Sequence, residues 1–574
     1  MRTGEEIRER LTAVLESILG NKEAAGWVVS QEKDKIEELR KRFPDKSIAL
    51  VGFDVDKIKD FVFTSTKPLE IQGASEIVKD LTQKGGRNLP NCSVYQILSD
   101  KGLSPDNVLF AGGGTGLLIL PADKVEEVAG EIRSRFASAS QTGSVSVVWE
   151  LYSPRELVAG PEAPQKKPSS LPPGVTIIHG NEADVMPFGS LMQLLADRLR
   201  EEKGERLSPI IPPLPGYVRR CDSCGIRAAV KQDRLRVGEE ENWLCSSCLS
   251  RRERGRIERE RLKKQDQELQ TAESINDIAG NQERSYVALI YADANEMGQK
   301  LFKMQRMEDY AILCYTVTTV FDELREKIVK AFKLKERYQA PILGGDDLFL
   351  IVPAAKAAPI VSYLMERAKE RFGQEAKALQ NMNETVAKEL CNLTLSVGFV
   401  IVPSHFNIRF SVDYVEALLR RAKEAYREKG EECIDWMVVK DGSPLSLKVE
   451  ELRNVIYTRK TRDWSLKLTI KPMTVQEFNK MMAKIKCLEK AKISRHQLKL
   501  IQDLLENDSP RSARLNTRYQ WLRVKEWKDI FFEGDMTKGE HWLKDFLLKE
   551  VHPQNYETGF LDLMELYEFQ EASV

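Results

Sequence analysis

The sequence predicts an α+β protein built on two ferredoxin-like domains, with a helical insert between them and a helical domain after them. Three observations carry that prediction. Strand-like and helix-like segments follow one another as strand, helix, hairpin, helix, strand, the order of a split βαβ sandwich. That order occurs twice along the 574 residues. The two occurrences also share a glycine-centred hairpin without a gap. FAGGGTGLLILP (110–121) lies over ILGGDDLFLIVP (342–353), so that Gly112 and Gly113 meet Gly344 and Gly345, and Pro121 meets Pro353.

The elements follow in order. Residues 1–46 are charged and helical, with Ile7, Leu11, Leu15 and Ile18 on one stripe. SIALVGFDV (47–55) is an apolar run of strand length, and GASEIVKDL (73–81) a helix. NVLFAGGGTGLLILP (107–121) is two strands about a glycine turn, DKVEEVAGEIRSRF (123–136) a helix and VSVVWELY (145–152) a strand, which closes a first domain at 47–158. AGPEAPQKKPSSLPPG (159–174) is a proline-rich connector. An insert at 175–285 holds the helix SLMQLLADRLREEK (190–203), a cysteine cluster and the charged helix RRERGRIERERLKKQDQELQ (251–270).

The second domain spans 286–447. YVALIYADANEMG (286–298) is a strand running into a turn, MEDYAILCYTVTTVFDELREKIVKAF (307–332) a helix and APILGGDDLFLIVP (340–353) a hairpin. KAAPIVSYLMERAKERF (356–372) is a helix, NLTLSVGFVIVP (392–403) a strand, and VDYVEALLRRAKEAYREKG (412–430) a helix that Gly430 stops. Residues 448–574 read as mostly helical.

Lys plus Arg and Asp plus Glu number 87 each, so net charge gives no argument for nucleic acid and any basic surface is local. No stretch reaches the roughly 18 apolar residues of a membrane span. The N-terminal MRTGEEIRERLTAVLESILG mixes acids and bases and has no signal-peptide apolar region, so a cytoplasmic protein without a membrane partner is expected. Five of the nine cysteines, Cys92, Cys314, Cys391, Cys433 and Cys487, are scattered and read as small buried hydrophobes. The other four, Cys221, Cys224, Cys245 and Cys248, form C-x2-C, twenty residues, C-x2-C. Four thiolates at that spacing fill a tetrahedral Zn²⁺ shell and leave no open position, which marks a structural site.

The chemistry sits at the second hairpin. Upstream of it, GFDVDK (52–57) lies over YADANE (291–296), pairing Asp54 with Asp293 and Asp56 with Asn295. In the first copy the two hairpin acids have become Gly114 and Thr115. Adjacent carboxylates such as Asp346 and Asp347 disfavour each other's charge unless a cation lies between them. Mg²⁺ or Mn²⁺ meets that need, and Asp293 at the end of the neighbouring strand makes a third acid. Three convergent acids suit two-metal phosphoryl transfer. Taken alone, GGDD also fits an exposed turn. The ADAN strand and the duplicated frame weigh against that reading.

GFDVDKIKDFVF, then GASEIV, GGG, CxxC…CxxC and GGDD, in that order over about residues 47 to 445, resembles the CRISPR polymerase family. That family is the large subunit of type III CRISPR effector complexes. The resemblance implies two palm domains, the second making cyclic oligoadenylates from ATP when a guide-bearing complex pairs with target RNA. It implies other effector subunits, guide RNA and target RNA as partners. Carried over by position, it makes Asp293, Asp346 and Asp347 the metal ligands, has Gly344 and Gly345 line the nucleotide, and has Gly112, Gly113 and Gly114 form a second, non-catalytic ATP pocket. Lys423 in LLRRAKEAY is either a triphosphate contact or a solvated helix lysine.

Many members begin with an HD-type nuclease. Here 46 residues precede the first palm, and none of His179, His405, His496, His541 and His552 is followed by Asp, so no DNA cleavage is expected. Two other functions remain open at this stage: a scaffold subunit of an RNA-guided ribonucleoprotein, and a cyclic dinucleotide synthase using GTP. Three glutamates interrupt the basic run 251–264, which favours an exposed connector helix over a phosphate-binding one. In RYQWLRVKEWKDIFF (518–532), Trp521, Val524, Trp527 and Phe531 recur every three or four residues, which favours a helix core over base stacking.

Overall fold

The apolar run SIALVGFDV can bury both faces, and it becomes the centre of a sheet. In the computed structural model, which describes residues 4–84, 92–160, 188–205, 214–235, 241–280, 285–341, 343–440, 448–490, 493–523 and 547–569, β1 (Ile48–Val55) pairs antiparallel with two strands. With β2 (Val108–Gly112), β3 (Thr115–Pro121) and β4 (Val145–Tyr152) it gives the order β2-β3-β1-β4. This is the ferredoxin-like order expected of a strand, helix, hairpin, helix, strand chain. Helix Phe188–Glu205 packs on β1 and β4. Gly52 permits it, since a Cβ there would come within 3.0 Å of Leu195.

The cysteine segment forms a small hairpin of β5 (Lys231–Arg234) and β6 (Glu241–Leu244). Helix Ser246–Gln265 follows and crosses helix Pro68–Thr82 of the first domain. The crossing is backbone on backbone. A Cβ on Gly73 would lie 1.7 Å from the Arg251 carbonyl oxygen, and one on Gly255 2.1 Å from that of Leu69. The exposed connector expected at 251–264 is therefore corrected: Arg251, Arg252, Gly255, Glu258 and Leu262 are buried. Arg252 is fully buried because Glu70, also fully buried, accepts from its Nη2 at 2.6 Å and its Nε at 2.9 Å.

The second sheet repeats the first. β7 (Tyr286–Ala294), β8 (Leu343–Gly344), β9 (Asp347–Pro353) and β10 (Leu395–Pro403) take the order β8-β9-β7-β10. Helix Ile408–Lys429 ends on Gly430 at φ 69° and delivers β11 (Cys433–Val438) parallel to β10. The chain packs as two units, residues 1–274 with 294–349 and 367–394, and residues 275–293 with 350–366 and 395–574.

The C-terminal region, expected to be mostly helical, also holds strands. β12 (Thr458–Lys460), β13 (Ser465–Lys467), β15 (Lys549–His552) and β16 (Asn555–Glu557) make a sheet in the order β12-β13-β16-β15, and β14 (Met473–Thr474) adds to β11. Strands of two to four residues are too short for alternation to show in the sequence. Trp521 is buried on helix Pro510–Arg523, as its periodicity implied, while Val524, Trp527 and Phe531 lie outside the described residues, as do 161–174 of the proline-rich connector. Cys92, Cys314 and Cys433 are buried, but Cys391 and Cys487 are exposed and are not core residues. No described helix is long and apolar enough to cross a membrane.

Candidate functional site

Nine residues from Tyr286 carry β7 to its end at Asp293 and Ala294. There the backbone is fastened on two sides. The Ala294 N–H donates to the Asp346 carbonyl at 3.1 Å, and the Asn295 N–H to the Thr394 carbonyl at 2.8 Å. The Asn295 side-chain amide adds a bond to the Thr394 hydroxyl at 3.1 Å. Glu296 then turns the chain with a left-handed φ of 57°. On the hairpin, Gly344 faces Asp347 across the ladder, and Gly345 takes φ 71°. A Cβ on Gly345 would meet nothing within 4 Å, so the turn asks for glycine by its backbone angle and not by lack of room.

The first copy reproduces this bond for bond. The Val55 N–H donates to the Gly114 carbonyl at 3.0 Å and the Asp56 N–H to the Ser144 carbonyl at 2.9 Å. Gly112 faces Thr115, Gly113 has φ 61° and Lys57 has φ 44°. Gly114 is thus the backbone counterpart of Asp346, and Thr115 of Asp347. The copies differ in what the positions hold. Gly114 adopts φ 87°, and a Cβ on it would lie 2.8 Å from Val78 Cγ1 and 3.0 Å from Ile58 Cδ1. A Cβ on Gly112 would lie 3.1 Å from the Phe110 ring. At the Gly114 position a side chain would have to displace Val78 and Ile58 and accept the left-handed backbone angle.

Each copy answers its strand-end acid with a lysine from a long helix beyond its last common strand. Lys423, on helix Ile408–Lys429, forms an ion pair with Asp293. Lys203, on helix Phe188–Glu205, forms one with Asp54 at 2.6 Å. Burial pushes the Asp54 carboxyl above its ordinary value and the Asp56 charge adds to this, while Lys203 opposes the rise. Lys423 is therefore not the solvated helix lysine of one sequence reading. Lys203 was not singled out from the sequence. Its signal was there, because SLMQLLADRLREEK and VDYVEALLRRAKEAYREK stand at equivalent places in the repeat.

A cavity of about 230 Å³ opens inside the first unit. Gly345 and Asp346 line it, and so do Thr115 and Gly116 of the first hairpin. Leu195 and Leu199 add an apolar wall. Tyr310 and Cys314 of helix Met307–Ala331 add another, and burial, with the Asp346 charge contributing, drives the phenol and thiol pKa values up. Both stay neutral and neither is a ready base or nucleophile. Of the first-copy glycines, the lining includes Gly52 and Gly116, the latter two residues beyond the expected Gly112 to Gly114.

The four cysteines converge. The sulfurs of Cys221, Cys224, Cys245 and Cys248 all lie within 4.8 Å of one another, with Cys221, Cys245 and Cys248 buried. Among the described residues this is the set of three or more metal-type side chains so gathered. The cysteine set leans on the first domain, where Ser223 bonds to the Ser65 hydroxyl at 2.9 Å and donates to Glu70.

Residues 286–431 match the family described as Cas10/Cmr2, second palm domain, which bears out the resemblance read from the motifs. No curated protein matches the chain. Among solved structures, it is similar to a Csm1-Csm4 cassette in complex with pppApA (14% identity, 96% of this chain and 72% of that chain, TM-score 0.50). It is also similar to the cassette with AMPPNP (15%, 95% and 73%, TM-score 0.50) and with cA3 (13%, 96% and 72%, TM-score 0.51). At these identities the likeness is one of fold.

Proposed function

We propose that this chain is a Cas10-like large subunit of a type III CRISPR complex and joins ATP into cyclic oligoadenylates. The observation that carries the reading is the shared cavity: one hollow touches the acid-bearing turn at Gly345 and Asp346 and the acid-free turn at Thr115 and Gly116. A two-nucleotide reaction needs such an asymmetric double seat, one side reactive and one side holding. The complexes of the similar structures, with pppApA, AMPPNP and cA3, agree with that use. Their Csm4 partner supports a similar subunit for this chain, with guide and target RNA engaged through the complex.

In this reading the 3′-oxygen of one ATP attacks the α-phosphorus of another. A new P–O bond forms as the bond to the β-phosphate oxygen breaks, and pyrophosphate leaves. A last transfer onto the chain's own 5′ end closes the ring. Asp293, Asp346 and Asp347 would hold Mg²⁺ or Mn²⁺, which supplies neutralisation of the phosphate charge and eases loss of the hydroxyl proton. Lys423 holds the Asp293 carboxylate in place and balances its charge. The glycine turn brings backbone, not side chain, to the nucleotide. Catalysis then rests on positioning. The cysteine set fits Zn²⁺ as a closed structural site, since four thiolates within 4.8 Å of one another would fill a tetrahedral shell and leave no place for a reacting water.

The test is synthesis from α-labelled ATP with Mg²⁺ or Mn²⁺, by the chain alone and in its RNA-bearing complex with matching target RNA. Labelled cyclic oligoadenylate should form and should vanish in Asp346→Ala/Asp347→Ala. A folded, zinc-loaded complex that makes no product under any of these conditions would overturn the synthase reading in favour of a scaffold.

A further inference from the structure

A second cavity, of about 290 Å³, lies in the same unit and uses the other face of the same helix. Tyr310, Cys314 and Val317 of helix Met307–Ala331 face the hairpin cavity, whereas Ile312, Tyr315, Thr316 and Thr319 face this one. At 100° per residue the two sets point in opposite directions. The partition between the cavities includes Phe110 edge-on to Tyr315, with ring centroids 5.4 Å apart.

The lining is chemically sorted. Ile7, Ile312 and Leu379 are buried and aliphatic. Tyr95 and Tyr315 bring two phenol rings. Thr316 and Thr319 add hydroxyls. Arg10 and Lys84 add positive charge. Asp106 accepts from Arg10 Nε at 2.6 Å in an ion pair that fixes the guanidinium, balances its charge and uses one of its five donors, so the net positive charge of the lining is that of Lys84. A solvated cleft for a simple ion would not need the aliphatic floor and the rings. A lipid pocket would not need the hydroxyls. A ligand with a planar ring, a polar middle and an anionic end uses all three parts, and the volume is near the lower end of the roughly 300–1,000 Å³ of small-molecule sites.

We propose that this cavity is a binding site for a mononucleotide, separate from the hairpin cavity. The ring lies against Tyr95, Tyr315 and the aliphatic floor. The sugar or base edge meets Thr316 and Thr319, and the phosphate meets Arg10 and Lys84.

Calorimetric titration of the full chain, without added divalent metal, tests it with AMP, GMP, CMP and UMP as probes. Inorganic phosphate serves as the charge-only probe and adenosine as the ring-only probe. At least one mononucleotide should bind saturably, and phosphate and adenosine should each bind at least tenfold more weakly. Arg10→Met and Lys84→Met should each weaken the mononucleotide about tenfold, and Thr319→Trp, which fills the cavity from an exposed position, should abolish binding. Asp346→Ala/Asp347→Ala should leave it unchanged. Lys84 and Thr319 are exposed, so their variants keep the fold if Arg10→Met does not. No mononucleotide binding, equal binding of phosphate alone, or binding lost with the hairpin acids and kept in the cavity variants would each overturn the proposal. A chain that fails to make cyclic oligoadenylate leaves these titrations as they stand.

Discussion

Arg252 and Glu70 are 182 positions apart and wholly buried against each other. Two charges withdrawn from water need partners, and removing Glu70 leaves Arg252 with its longer ion pair to Asp233 Oδ2 at 3.3 Å, while removing Arg252 leaves Glu70 without its buried cation, a loss of about 3–5 kcal/mol. Glu70→Gln and Arg252→Met should each lower the stability of the first unit by that order. The double variant should cost far less than their sum, as read by a urea-unfolding double-mutant cycle. Additive losses would contradict the pairing. The acids of the hairpin were legible because the repeat supplied an internal alignment for Asp293, Asp346 and Asp347. Arg252 was not, because charge patterning along a chain reports neighbours at three and four residues and is blind to a partner on another helix. Lys203 lies between these cases: the repeat placed it, but its pairing with Asp54 needed the fold to be seen.

Two helices that cross at Gly73 and Gly255 approach as closely as backbones can. Gly73→Ala would drive a methyl group into the Arg251 carbonyl, and overpacking of that kind costs about 1–3 kcal/mol or more. Hydrogen exchange in helices Pro68–Thr82 and Ser246–Gln265 should rise in this variant and stay unchanged in Gly130→Ala, where a Cβ meets nothing within 4 Å. Unchanged exchange at the crossing would show that the helices can part without loss. Long elements were readable from the sequence. The apolar run of β1, the glycine turns of both hairpins and the stop at Gly430 each carry a local physical signal. The crossing of a highly charged helix over the first domain carried none, because glycine in a helix reads as a weakness and not as a contact.

The four cysteines join a hairpin, a helix and the first domain through Ser223, Ser65 and Glu70. Metal and folding are coupled at such a site. A strong zinc chelator should release one Zn²⁺ per chain and speed hydrogen exchange in β5, β6 and the start of helix Ser246–Gln265. The sheet formed by β1 to β4 should keep its protection, since its strands are paired to each other and not to the metal. Mass spectrometry that finds no zinc in protein purified without chelator, or exchange unchanged on its removal, would rule out the structural role. The repeated strand order was the most legible feature of the molecule, because twelve aligned positions in each hairpin outweigh any single motif. The small C-terminal sheet was the least legible, since two to four residues per strand leave periodicity nothing to act on.

The closed space above Gly114 bears on what it would take to make the two halves alike. An aspartate restored there would collide with Val78 and Ile58 and would have to accept the glycine backbone angle at the same time. Placing an acid there therefore asks the Val78 and Ile58 side chains to shift as well as the backbone to hold a glycine angle, so one substitution in the first half does not by itself make it the equal of the second.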